Sequence, residues 1–143
     1  MTTTASHVSV AVPVDVVWDL LAGFADISRW ASNVSQSSLL TAGPPGPGTV
    51  RRVQVGRAAL RETITVWEPG RELAYDIAGL PAIVTAASNT WTLAPDGTGT
   101  AVTLTGTVAT RGGPLLDRLV ARQVGKAGDQ LTQSLGTYLR SQP

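Results

Sequence analysis

The chain has no cysteine and a single histidine, His7. Without cysteine, disulfides, thiolate nucleophiles and thiolate-bound metals are excluded. One histidine excludes a His-rich metal site, and a Ser-His-Asp triad would need His7 itself as its base. Charge is sparse and balanced: 11 basic residues, ten of them Arg, stand against 10 acidic ones, for a formal net charge of +1. Arg51-Arg52 is the only adjacent cationic pair, so the concentrated basic patch expected of a nucleic-acid binder is missing. There is no run of about 18 apolar residues, and no transmembrane helix is expected. Met1 to Ser6 is polar and lacks the basic and apolar regions of a signal peptide, which makes cytoplasmic the default expectation. Gly43 to Gly48 lacks the Lys and the following helix of a phosphate loop. No metal and no cofactor is expected.

What is present is a chain of 143 residues, the size of one domain spanning 1–143 and long enough to bury a core without staples. Val8, Val10 and Val12 alternate over His7 to Val12, predicting a half-buried strand with His7 on its exposed side. Pro13 and Asp15 suit the start of a helix running to about Leu21. In it Val14, Val17, Trp18 and Leu21 form one apolar stripe ended by Gly23. Asp26 to Trp30 reads as a second short helix capped by Asp26. Strands are predicted over Val34 to Thr41, Val50 to Val55, Ala58 to Trp67, Glu72 to Ala78, Val84 to Leu93 and Thr100 to Ala109. Short breaks separate them, the pattern of an antiparallel meander. Pro114 to Arg140 is one long helix with Leu116, Val120, Val124, Ala127, Leu131, Leu135 and Tyr138 at spacings of three and four. Gly128 beside that spine marks either a close approach of the helix to a neighbour or a weak helix held by packing. The class is α+β.

Several stretches in this order resemble the START-like superfamily, which includes birch-pollen-allergen-like proteins and bacterial polyketide cyclase/dehydrase-like (SRPBCC) proteins. The run Val8-Ser9-Val10-Ala11-Val12-Pro13-Val14-Asp15-Val16-Val17-Trp18-Asp19-Leu20-Leu21 is similar to the family's first strand and helix. Asp26-Ile27-Ser28-Arg29-Trp30 is similar to its second helix. Arg61-Glu62-Thr63-Ile64-Thr65-Val66-Trp67-Glu68-Pro69 resembles its central strand, and Asn89-Thr90-Trp91-Thr92-Leu93 its sixth. The resemblance implies a helix-grip fold: a curved seven-stranded antiparallel sheet wrapped around the C-terminal helix, with a ligand cavity between them. It implies no single activity, because one fold carries many functions.

The hairpin at Gly56-Arg57 gives the sharpest local inference. A two-residue loop beginning with Gly fits a type II′ turn. Val55 then faces Ala58, Val53 faces Leu60, and Arg51 faces Glu62. Opposite residues share a face, which places Arg51 and Glu62 beside Val53, Leu60 and Ile64 in the apolar concavity. Such a pair either orients or activates a ligand's polar group or is a salt bridge at the cavity rim. The same alternation adds Tyr75, Asn89 and Trp91, which are equally readable as core side chains with satisfied polar tips. Trp30 is expected at the cavity mouth, Trp18 in the core, and Trp67 either outside or at a bulge.

Three functions fit. The first is a binder of an apolar or aromatic small molecule (a lipid, polyketide or quinone-like compound), acting as a monomer or homodimer. Its ligand would meet Trp30, Arg51, Val53, Leu60, Glu62, Ile64, Tyr75, Asn89 and Trp91. The second is a polyketide cyclase/dehydrase-type enzyme with Glu62 as general acid or base and Arg51 or Tyr75 stabilising an enolate-like oxygen. The third is a protein-binding regulatory subunit, against which the Thr- and Arg-rich outer strands argue.

Overall fold

The computed structural model describes residues 1–142. Seven strands form one antiparallel sheet: β1 (Thr2–Val10), β2 (Gln36–Leu39), β3 (Val50–Val55), β4 (Ala58–Glu68), β5 (Glu72–Ala78), β6 (Val84–Asp96) and β7 (Gly99–Thr110). Their spatial order is β1-β7-β6-β5-β4-β3-β2. The meander β2 to β7 therefore ends beside β1, and the chain passes from one sheet edge to the other between β1 and β2. That passage holds helix α1 (Val14–Ala22) and a short 3-10 helix, Phe24–Arg29. The long helix α2 (Pro114–Ser141) packs on β1 and β7. Among the described residues no helix is long and apolar enough to cross a membrane.

Where the structure departs from the sequence pattern, the causes are local. Strand β1 begins at Thr2 rather than His7. Its inward positions there are Thr4 and Ser6, small polar residues that hide the alternation, and the Ser6 hydroxyl donates to Asp129 Oδ1 on α2 at 2.6 Å. His7 is exposed beside the Thr103 hydroxyl. Asp26 does not cap the short helix. The 3-10 helix starts two residues earlier, after Gly23, and Asp26 lies inside it at a kink (φ −106°, ψ 18°). Strand β2 is only four residues long, and Val34 is buried in the loop before it.

A bulge in β4 resolves the position of Trp67. Ile64 pairs with Tyr75 and Val66 with Ala74, so one residue of β4 is unpaired and Trp67 comes to face Leu73. An extra residue reverses the side on which later side chains fall. Trp67 thus turns inward and meets Trp18 of α1 edge to face, ring centroids 5.1 Å apart.

The seating of α2 explains its glycines. A Cβ on Gly128 would lie 3.1 Å from Ser6 Oγ, and one on Gly106 of β7 would lie 2.8 Å from Val124 Cγ1. The helix therefore lies against β1 and β7 at glycine distance, which selects the close-approach reading of Gly128. Over β3 to β6 no such contact forms, and a space remains beneath the helix.

Candidate functional site

The site is built on the β3–β4 hairpin. Gly56 has φ +58° and Arg57 a negative φ, the signature of a II′ turn. The pairing is Val55 with Ala58, Val53 with Leu60 and Arg51 with Glu62. Arg51, Val53, Leu60, Glu62 and Ile64 are all buried, while Arg61 and Thr65 on the opposite face are exposed.

Arg51 is 2% exposed, so its charge needs compensation at close range. Its Nε and Nη2 each reach Glu62 Oε1 at 2.8 Å, and Nη1 donates to the Phe24 carbonyl at 3.0 Å. The guanidinium carbon lies 3.8 Å from the Phe24 ring centroid and 4.8 Å from that of Tyr75. A planar, weakly hydrated cation suits such packing against aromatic rings better than an ammonium does. Both contacts to Glu62 fall on Oε1, leaving Oε2 without a donor among the described residues.

Tyr75 stands diagonally next to Glu62 on β5, since Ile64 is its direct partner and Glu62 faces Ile77. Diagonal neighbours on one face are within reach of long side chains. Its oxygen accepts hydrogen bonds from Trp91 Nε1 at 3.3 Å and Asn89 Nδ2 at 3.4 Å. Burial pushes the hydroxyl above its usual 10.0, and the Glu62 carboxylate adds to that, while Arg51 and the two N–H donors act the other way. Tyr75 is therefore protonated at neutral pH, with its O–H proton uncommitted to any protein acceptor.

These groups edge a cavity of about 390 Å³ between β3–β6 and α2. Val53, Leu60, Ile77, Ala87, Val120 and Leu131 make most of its wall. The exposed Pro81 and Ile83, from the turn between β5 and β6, mark its open end. Glu62, Tyr75, Ser88, Asn89, Thr107 and Gln123 contribute polar side chains. So does Asn33, from the loop before β2, whose Oδ1 is buried and has no hydrogen-bond partner. That loop is pinned on both sides of Asn33. The backbone N–H of Ser32 donates to Ser134 Oγ of α2 at 3.1 Å, and the two hydroxyls are 2.8 Å apart. Val34 is buried and closes a turn onto the Ala31 carbonyl. Among the described residues no group of three His, Asp or Glu side chains gathers in a way that could hold a metal ion.

Of the residues singled out in the sequence, Val53, Leu60, Glu62, Tyr75 and Asn89 line the cavity. Arg51, Ile64 and Trp91 lie behind its wall: Arg51 touches the cavity through Glu62, and Trp91 through Tyr75. Trp30 is not at the mouth. The turn that closes the 3-10 helix, Trp30 N–H to the Ile27 carbonyl, folds it inward. There it is 7% exposed and meets Trp91 edge to face at 5.9 Å. Its exposed edge faces a separate surface depression beside Ser134 and Tyr138. Two parts of the site escaped the sequence reading. Leu80, Pro81, Ile83 and Val84 are apolar residues in what looked like a mere break, and that was a usable signal. Asn33 is a lone Asn in a loop and gave none.

Comparison with known proteins places this geometry. The model of the family described as polyketide cyclase / dehydrase and lipid transport matches residues 1–140. No curated protein matches the chain significantly. The Zhui aromatase/cyclase from Streptomyces sp. R1128 superposes with a TM-score of 0.81 at 20% identity, covering 97% of this chain and 93% of that one. Ara h 8.0201 superposes with a TM-score of 0.80 at 18% identity, covering 99% of both chains. A protein of Thermobifida fusca is 26% identical with a TM-score of 0.78, covering 96% of this chain and 95% of that one. The two lower identities show the shared helix-grip fold, and the family match goes further: this chain belongs to the polyketide cyclase / dehydrase and lipid transport family.

Proposed function

We propose that the protein binds an apolar small molecule in the cavity under α2, with the ligand's polar end toward Glu62 and Tyr75. One observation supports this above all: a space of about 390 Å³ walled by aliphatic side chains, with a few polar atoms converging from β4, β5 and β6. At about 30 Å³ per water molecule, that space corresponds to roughly a dozen waters, and it falls in the range of small-molecule pockets. Affinity would come mainly from apolar area removed from water, about 25 cal/mol per Å².

The test is a neutral fluorescent probe, N-phenylnaphthylamine, combined with native mass spectrometry of protein purified from its own host. Wild type should bind the probe one to one and carry a small-molecule adduct. Ala127→Trp, which fills the cavity from the α2 side, should lose both while keeping the wild-type circular dichroism. Unchanged probe binding in a folded Ala127→Trp variant would refute the assignment.

A second reading, a polyketide cyclase/dehydrase-type enzyme, draws support from Glu62 and Tyr75, diagonal neighbours on one face of the sheet that both line the cavity. In that reading Glu62 moves the proton and Tyr75, rather than Arg51, stabilises the enolate-like oxygen, because Arg51 is turned away from the cavity. Glu62→Gln separates the two readings. An enzyme would lose turnover of the recovered ligand while still binding it, and a carrier would change only in affinity or selectivity.

A further inference from the structure

The polar end of the cavity has a sign, and that sign restricts the ligand. The Arg51 cation is spent on the far side of the ion pair. Its Nε and Nη2 hold Glu62 Oε1, its Nη1 holds the Phe24 carbonyl, and it packs against the Phe24 and Tyr75 rings. It does not line the cavity, whereas Glu62 does. A molecule in the cavity therefore meets the carboxylate end of a buried dipole, at Oε2, with the guanidinium behind it. The second polar feature has the same character: Asn33 Oδ1 is a buried acceptor without a donor. The loop holding it is tied to α2 through Ser32 and Ser134, so it cannot readily swing out to find water. The donors on the same wall are neutral: the Tyr75 O–H, which burial and Glu62 keep protonated, and the amides and hydroxyls of residues such as Asn89 and Gln123.

Resting on the reading of the cavity as a ligand site, we propose that its ligand is uncharged and carries a hydroxyl (or an equivalent hydrogen-bond donor), and that carboxylate-bearing lipids and aromatic acids are refused. A hydroxyl placed beside Glu62 and Tyr75 can donate to Oε2 and accept from the tyrosine at once. Asn33 offers an acceptor for a second donor on the same molecule. A carboxylate brought to this end finds only neutral donors, the Tyr75 O–H and the amides and hydroxyls of the wall, with no cation among the lining residues, and stands against the Glu62 carboxylate, where like charges repel more strongly than in water. A buried acceptor left unmatched is costly as well, so a purely apolar ligand also forfeits affinity.

The experiment compares naphthol, naphthoate and methylnaphthalene, substituted at the same ring position, as competitors of N-phenylnaphthylamine at neutral pH. Naphthol should compete about tenfold or more better than methylnaphthalene, the effect of a hydrogen bond to a charged acceptor. Naphthoate should be the weakest of the three. In Glu62→Gln the penalty on naphthoate should shrink by at least about tenfold, and Asn33→Leu should raise the affinity for methylnaphthalene relative to naphthol. Naphthoate binding as well as naphthol in wild type would overturn the proposal, even with the cavity reading intact. So would a Glu62→Gln variant that binds probe normally but leaves the order and spacing of the three competitors unchanged. If no competitor and no probe binds wild type, the cavity reading itself fails and the proposal falls with it.

Discussion

Replacing Arg51 with Met tests whether the polar end of the site is held by a buried charge pair. Met matches the length of the Arg stem and keeps its apolar contacts but leaves the Glu62 carboxylate, itself 6% exposed, without a cation. Removing one partner of a buried pair costs about 3–5 kcal/mol. The Phe24 carbonyl also loses its donor, about 1–3 kcal/mol. Cation–π contacts at 3.8 and 4.8 Å are lost, about 1–2 kcal/mol each when desolvated, and sulfur–aromatic contacts of the new Met return a part of that. A total loss of at least about 4 kcal/mol is expected, a large fraction of the 5–15 kcal/mol typical of a domain. At a urea slope of about 2 kcal/mol per M, the unfolding midpoint should fall by about 2 M. The double variant Arg51→Met with Glu62→Leu separates the pair from its surroundings. It lacks the same Phe24 donor and the same stacking, but it has no orphaned carboxylate, so it should be about 3 kcal/mol more stable than Arg51→Met alone. Urea titration followed by tryptophan fluorescence reads both. A single variant that loses less than about 1 kcal/mol, or a double variant no more stable than the single, would show that the pair is solvated and that the inward register of Arg51 and Glu62 is energetically empty.

Two further outcomes follow from the same region. Because the folded-state pKa of Tyr75 lies above its unfolded value of 10.0, its contribution to stability is complete below about pH 10 and is lost as pH rises through the folded value; alkaline urea titrations should therefore show a steeper loss in wild type than in Tyr75→Phe, and parallel curves would contradict the burial of the hydroxyl. Trp30→Ala should cost about 3–5 kcal/mol, as expected for a core indole, without changing the affinity of the folded protein for N-phenylnaphthylamine; weaker binding at unchanged stability would return Trp30 to the cavity mouth.

Register is what made the site readable from sequence. A two-residue turn with Gly at its first position leaves one pairing for the strands around it, and period-two alternation then assigns every side chain on β3 and β4 to a face. Arg51 and Glu62 became visible because they occupy inward positions among Val53, Leu60 and Ile64, where an unpaired charge would be intolerable. The same logic carried through β5 and β6 to Tyr75 and Asn89, which line the cavity with Glu62. It failed wherever regular pairing failed. The β4 bulge inverted the parity at Trp67; an indole on the polar parity left a bulge as one of two readings, and only the structure chooses it. Trp30 was misplaced because the short helix it ends was expected to flank the mouth, whereas a turn from its N–H to the Ile27 carbonyl leaves the indole packed on Trp91.

Asn33 marks a deeper limit. Its importance lies in an absence, an acceptor that meets no donor, and an unmet hydrogen bond exists only once every neighbour has a position. The residues that fix it are remote in sequence: Ser134 on α2, 102 residues from Ser32, ties down the loop. Glu62 shows the same dependence in milder form. Its pairing with Arg51 follows from strand register, but both guanidinium contacts converge on Oε1 while the third donor is held by the Phe24 carbonyl, and neither detail is visible in register. That carbonyl belongs to the first residue of the 3-10 helix, which begins after Gly23. The direction in which the ion pair presents its charge, and with it the class of ligand the cavity would accept, thus depends on a 3-10 turn remote in sequence from the hairpin, whose Phe24 carbonyl and ring hold Arg51 and whose Ile27 lines the cavity.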